Sequence, residues 1–422
     1  MLGLTLPSIA IAPFFFYGKD FTSLLFKLYP DGQSRSNGMR QSYHVVIAVF
    51  AGLSFIAATQ TANASDPPYV IFGEQSVTLG PVTKTGGASV GSNGNLTFGG
   101  SDQVGGAEGG GNFVGGTTVV ADHITMNGFV SLGGGTHVTH DVNAGGYIST
   151  GTTVVIGSGG AGNAVAGGNI TLVGGNVVHG NVDSGGNVWL NTNTAHIDGN
   201  VTAAGTFTNG TSFVGGTITA PGVPTLPLAY TPIILPPATV FGSGGAPVTN
   251  PGPGGITLGP GSYGALDITG AQTSLTLTAG SYYFDTFNYQ STFPALTFDV
   301  SAGKIFVYVT GNVDFRQSAT ISVDGGTAAD VVLETHGDFT TGGDTTWNGT
   351  VFAPDGTIYI AKNNVATGAF WGQVVTTEND VTFSFNPGEI VPEPESSTLA
   401  LVGLALLAVV YNRRKRFSRV RA

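Results

Sequence analysis

The chain has 422 residues, including 68 Gly and 21 Pro but no Cys, and only 9% of it is charged. The lack of Cys excludes a disulfide framework, a zinc–cysteine site, an iron–sulfur cluster and a thiol nucleophile. Gly has no third-residue period, which excludes collagen, and 41% hydrophobic content is too much for a polar disordered chain.

Residues 1–38 form a leader with no clear character, its apolar stretch broken by Pro7 and Pro13, and translation is expected to start at Met39. Residues 39–64 read as a signal peptide: Arg40, an apolar core from Val45 to Ala58, and a small-residue cleavage site at Ala62 and Ala64. From Ser65 to Glu395 there are 23 acidic residues against four basic ones, Lys84, Lys304, Arg316 and Lys362. So acidic a body repels phosphate backbones, which argues against nucleic acid as a partner.

Residues 65–220 repeat. "HDVNAGGYI" (140–148), "GNAVAGGNI" (162–170), "GNVDSGGNV" (180–188) and "GNVTAAGTF" (199–207) superimpose, and "ADHITMNGF" (121–129) reads as an earlier copy 19 residues upstream. A period near 20 closed by an apolar residue predicts a solenoid with one coil per unit and Gly at the corners. Ile148, Ile170, Val188 and Phe207 are the expected inward ladder. No Pro occurs between Pro81 and Pro221, as a stack of hydrogen-bonded strands requires. Residues 221–254 are Pro-rich and uncharged. They read as an extended connector, either free or packed along the solenoid.

Residues 255–388 return to short alternating strands and predict a second solenoid region. "WNGTVFAPDGTIYI" (347–360) aligns with "FWGQVVTTENDVTFSF" (370–385) at a 23-residue offset. The expected fold class is therefore all-β: a Gly-rich, right-handed β-helix with a Pro-rich connector. This region resembles bactofilin-type polymer-forming domains in texture, and no catalytic residues come with that resemblance.

At the end, residues 389–395 hold Val391, Pro392, Glu393 and Pro394. An apolar segment follows at 396–412, then a basic tail at 413–422 with Arg413, Arg414, Lys415 and Arg416. Motif, apolar run and basic cluster in this order resemble the sorting signal of PEP-CTERM proteins. The resemblance implies export in a Gram-negative bacterium and a transient inner-membrane helix with the basic tail in the cytoplasm. It further implies cleavage near Pro392–Pro394 by an exosortase-type partner and delivery to the cell surface, outer membrane or extracellular matrix.

Little chemistry is legible. Lyase catalysis needs Lys or Arg, and the chain has neither from 85 to 303, which covers nearly all of the first repeat region. Asp141, Asp183 and Asp198 fall at different repeat offsets and read as solvated turn residues rather than paired catalytic carboxylates. His137, His140, His179 and His196 read as exposed turn or edge residues without a metal-ligand pattern. "GGTAADVVL" (325–333) partly matches a calcium-binding nonapeptide, making Asp330, Asp338 and Asp344 candidate calcium ligands. Thr-x-Thr at 206–208, 217–219 and 276–278 does not recur at the coil spacing, so no flat threonine ladder of the ice-binding kind is expected. The sequence thus points to a structural surface protein with no enzyme, cofactor or metal site, acting through extracellular polysaccharide or self-association. An adhesin or carbohydrate-binding protein is the alternative, ice binding ranks below that, and a glycan-active enzyme comes last.

Overall fold

A computed structural model describes residues 67–191, 194–249, 254–269, 274–290 and 295–390, all within one compact unit. The leader, the signal peptide with Ala62 and Ala64, and the tail from Val391 through Arg416 lie outside the described residues. What is described is a β-solenoid of about 16 coils, with a 3-10 turn at Ala328–Asp330.

One coil illustrates why. Its strands Val142–Ala144, Ile148–Thr150 and Val155–Ile156 lie on three different faces. Val142, Ala144, Ile148 and Ile156 point inward and are at most 1% exposed, while Ser149 and Val155 point outward. Each strand pairs in parallel with its copy in the next coil, so every inward residue stacks on its equivalent. Ile148, Ile170, Val188 and Phe207 form the expected ladder. The copy at 121–129 is shifted by one residue: Val130, not Phe129, pairs with Ile148. Phe129 lies outside and stacks on Tyr147, with ring centroids 4.8 Å apart.

The two Asn of each GN-x-x-x-GGN unit explain its spacing. At one corner the Oδ1 atoms of Asn163, Asn181 and Asn200 each accept the backbone N–H one coil on, all at 2.8 Å. At the next corner Asn169 and Asn187 do the same at 2.8 and 2.7 Å. The adjoining glycines permit this stacking: a Cβ on Gly185 would lie 2.2 Å from the Gly167 carbonyl oxygen. The third corner is turned by left-handed residues that are mostly not Gly, among them Asp344, Asn363, Asp380, Val82, Ser101, Thr118 and Thr153.

The coils do not stack in chain order. Strand Ile71–Leu79 lies between the first coil after it and the last coil of the chain, pairing Val77 with Leu96 on one side and with Val375 on the other. The third corner is continuous across this seam: Asp380 N–H donates to Pro81 O and Val82 N–H to Gly100 O, both at 2.9 Å. From the seam the first region builds outward to Ile218–Thr219. The second region starts at the opposite end, at Val248–Thr249, and builds back. The two repeat regions are therefore one stack, entered and left at its middle.

The chain near the seam also differs from the 23-residue alignment. Val351 pairs with Phe370 and Ile358 with Val375, not Val374 and Val381. A bulge between Ala353 and Thr357 absorbs extra residues and changes the offset part-way along the strand.

The Pro-rich segment is a strap along the first face. Asn127 clamps its backbone, accepting from Tyr230 N–H at 2.8 Å and donating to Tyr230 O at 2.9 Å. Asn93 does the same to Ile233, at 2.9 and 2.6 Å. Further on, buried Glu334 accepts from the Thr239 N–H and hydroxyl at 2.5 and 2.6 Å. Side-chain amides and a carboxylate thus replace a neighbouring strand, while the prolines leave few N–H groups to satisfy. Beneath the strap at the seam is a second apolar cluster of Tyr69, Phe72, Leu235, Phe352, Trp371 and Ile390, separate from the bore. Trp371 Nε1–H donates to Tyr69 O at 2.8 Å.

Candidate binding face

In the second region the third face is a seven-stranded parallel sheet. Four of its strands alternate polar and apolar residues, Ser274–Thr278 (SLTLT), Ala295–Asp299 (ALTFD), Thr320–Asp324 (TISVD) and Thr382–Phe385 (TFSF), although the terminal Phe385 is exposed. Leu275, Leu277, Leu296, Phe298, Ile321 and Phe383 fill the bore. The alternate residues face out. Register places Thr257, Thr276, Thr297 and Ser322 in one column, which Asn348, Thr367 and Ser384 continue. Beside it runs a column of Ser274, Ala295, Thr320, Thr346, Val365 and Thr382.

Parallel pairing fixes the spacing of this array at roughly 4.8 Å along the rod, and residues two apart lie roughly 6.6 Å across it. β-Branched Thr has a stiff χ1, so each Thr of the array presents a methyl and a hydroxyl in a set direction, while Ala295 and Val365 interrupt the second column. Thr297 and Ser322 hydroxyls lie 3.3 Å apart. As far as Thr382 and Ser384 neither column contains a charge or an aromatic ring; exposed Lys84 pairs with Thr382 and continues the second column across the seam, and Asp299 and Asp324 border the array. The expectation that no threonine ladder forms is overturned for the run Thr257, Thr276 and Thr297, which Ser322 extends. The coils differ in length, from 17 to 26 residues between laddered Asn positions, so stacked hydroxyls are not evenly spaced in sequence. Of the three Thr-x-Thr stretches, only 276–278 lies on this face.

The second face carries a single outward column. It mixes Thr78, Thr97, Ser131, Ser149 and Thr171 with Asp267, Asp314, Tyr359 and Trp189, and so offers no uniform surface.

Stacking also assembles histidine–carboxylate sets that sequence spacing concealed. Asp198 lies 2.7 Å from both His179 Nδ1 and His196 Nε2. Its carboxyl is held below the usual range, chiefly by His179. In the coil between the two strap clamps, Tyr69 OH donates to Glu108 at 2.7 Å, and His123 Nε2 lies 2.9 Å from the same carboxylate. His123 also contacts Asp122, which contacts His140 at 2.7 Å. The bond to His123 keeps Glu108 low, and Glu108 raises His123. The signal available in the sequence was a His and an acid one coil apart.

Asp183 is not solvated as expected: it is 8% exposed, under the strap, where it accepts from Thr225 N–H. Asp141 bonds Asn163 at a corner. The three candidate calcium ligands occupy three different corners. Asp330 caps Thr327, Asp338 accepts from Thr357 N–H, and Asp344 bonds Gln317 and Asn363. They do not converge, and no group of three ligands suited to a metal occurs among the described residues.

A family model described as a domain of unknown function, DUF7305, matches residues 261–346 and 306–388, overlapping as expected on a repeat. No curated protein matches the chain. Among solved structures, the chain is similar to an ice-binding protein from an Antarctic bacterium of the Flavobacteriaceae. Identity is 16%, over 77% of this chain and 98% of that one, with a TM-score of 0.25.

Proposed function

We propose that this chain is an exported, non-enzymatic β-solenoid of a bacterial surface, and that its two-column hydroxyl face binds ordered water at an ice surface. The observation carrying this reading is the array itself: uncharged within the seven-stranded sheet, repeating along the rod in two columns, and backed by a close-packed bore that keeps it rigid. Such a face suits a ligand that is itself periodic. Ice has its donors and acceptors already fixed, so binding orders no ligand torsions. A dissolved glycan would exchange hydrogen bonds with water for bonds to Ser and Thr, a net gain of about 1 kcal/mol or less each. Within the two columns there is no cleft or ring platform to add to that.

The test is partitioning. Fluorescently labelled protein is exposed to slowly growing polycrystalline ice. Incorporation at concentrations where an inert protein is excluded is expected; exclusion would overturn the reading.

A second reading, a matrix scaffold, is favoured by the ends of the rod. Among the described residues, strands Ile218–Thr219 and Val248–Thr249 each pair on one side only, and Ile218 is 48% exposed. Such edges template addition of another copy. Concentration-dependent filaments in electron micrographs would favour it. In either case the PEP-CTERM resemblance supports sorting through an exosortase, with a membrane-held precursor cut near Pro392–Pro394. Mass spectrometry of mature protein still carrying Arg413–Arg416 would contradict that.

A further inference from the structure

The strap has two sides. Tyr230 and Leu235 turn inward and are 6% and 8% exposed, whereas Val223, Leu226, Leu228, Ile234 and Val240 turn outward at 94%, 79%, 65%, 78% and 99%. The segment 221–249 contains no charged residue or His, in a body that is otherwise strongly acidic. The column of outward residues under the strap runs from Glu334 through Phe352, Trp371, Phe72, Gly91, Glu108, Thr125, Asn143 and Val165 to Asp183. Nine steps at the inter-strand spacing make the apolar ridge on the order of 40 Å long. Exposed aliphatic side chains aligned over that length mark a contact surface.

The path of the chain says which surface. The described chain ends at Ile390, which packs with Leu235 beneath the strap, and the N-terminal Tyr69 packs in the same cluster. Eight residues beyond Ile390 begins the apolar run 398–411, followed by Arg413–Arg416. The described chain therefore ends at mid-length on the strap side. We infer that in the membrane-held precursor the strap lies against the lipid surface. Its five aliphatic side chains enter the interface, and the rod lies flat with the hydroxyl face turned away from the strap. Burial of apolar area in the interface then adds to a tail whose apolar run is shorter than an ordinary spanning helix. This inference rests on the tail acting as an anchor before cleavage.

The sequence has no Cys, so single cysteines report position without background. Val240→Cys and Leu226→Cys on the strap, with Ser149→Cys and Asp324→Cys on the other faces, are labelled with bimane in the full-length chain. The labelled chains are then reconstituted into phosphatidylcholine vesicles carrying a spin-labelled lipid quencher. Strap positions are expected to be quenched at least threefold more than the two controls. If the chain fails to float with the vesicles, the anchor reading fails and takes the inference with it. If it floats but all four positions are quenched equally, or the strap labels are shielded in a dimer that forms without lipid, the anchor stands and the inference is overturned.

Discussion

Asp102 supports a prediction that depends only on the bore and one corner. It is fully buried beside the seam. Its Oδ1 accepts from Thr83 N–H at 2.8 Å and its Oδ2 has no partner. Burial pushes its carboxyl from 3.8 up to about 7. Between those values the unfolded chain is ionised at this position while the folded chain holds a proton, so the unfolded state binds fewer protons and stability falls as pH rises. At 1.36 kcal/mol per unit the ceiling is about 4 kcal/mol. Because the adjoining Ser101 is exposed and water lies within a residue of the buried carboxyl, half of that, about 2 kcal/mol, is the working figure. Asp102→Asn keeps the acceptor for Thr83 and cannot ionise. Thermal midpoints of both proteins measured from pH 4 to 8 are expected to coincide near pH 4 and to separate in favour of the variant through neutrality. A variant less stable at pH 8, or a difference independent of pH, would refute the reasoning.

Further substitutions test other parts of the stack. Val82 is a β-branched residue at φ 66° in the corner ladder; Val82→Asn is expected to stabilise by roughly 1 kcal/mol in thermal unfolding. Trp371→Ala empties the cluster between seam and strap and is expected to cost about 3–5 kcal/mol, read by the same assay. Asn127→Ala removes both bonds to Tyr230, and amide exchange near Tyr230 is expected to accelerate roughly tenfold while the bore strands stay protected. The Glu108–His123 pair contributes when acid is ionised and imidazole charged. Its stabilisation is lost above the raised His123 value and below the lowered Glu108 value. An NMR titration of His123 that moves downward in Glu108→Gln would bear this out.

The first repeat region was legible because two of its units, at 162–170 and 180–188, keep asparagines six residues apart that carry the bonding at two corners. Legibility failed where lengths changed. The bulge after Ala353 moved the register within one strand, and Phe129 misled by being apolar yet outside. The strap's apolar and polar residues gave no sign of which side faced the rod, because an extended Pro-rich segment has no fixed period. The hydroxyl columns were hidden for the same reason as the histidine–carboxylate sets: partners one coil apart are separated by whatever loop that coil carries. "SLTLT", "ALTFD", "TISVD" and "TFSF" all show the alternation, but only pairing reveals that their Thr and Ser coincide.

The hydroxyl face can be tested against its neighbour with one matched pair. Thr297→Tyr places a ring in the centre of the two-column array, while Thr171→Tyr places the same ring beside Trp189 on the second face. Thermal hysteresis of the purified wild-type protein is compared with that of each variant. Activity in the wild type, at least a fivefold loss in Thr297→Tyr and no loss in Thr171→Tyr are expected. Absence of activity in the wild type, or equal activity in the two variants, would contradict the assignment of the seven-stranded face as the binding surface.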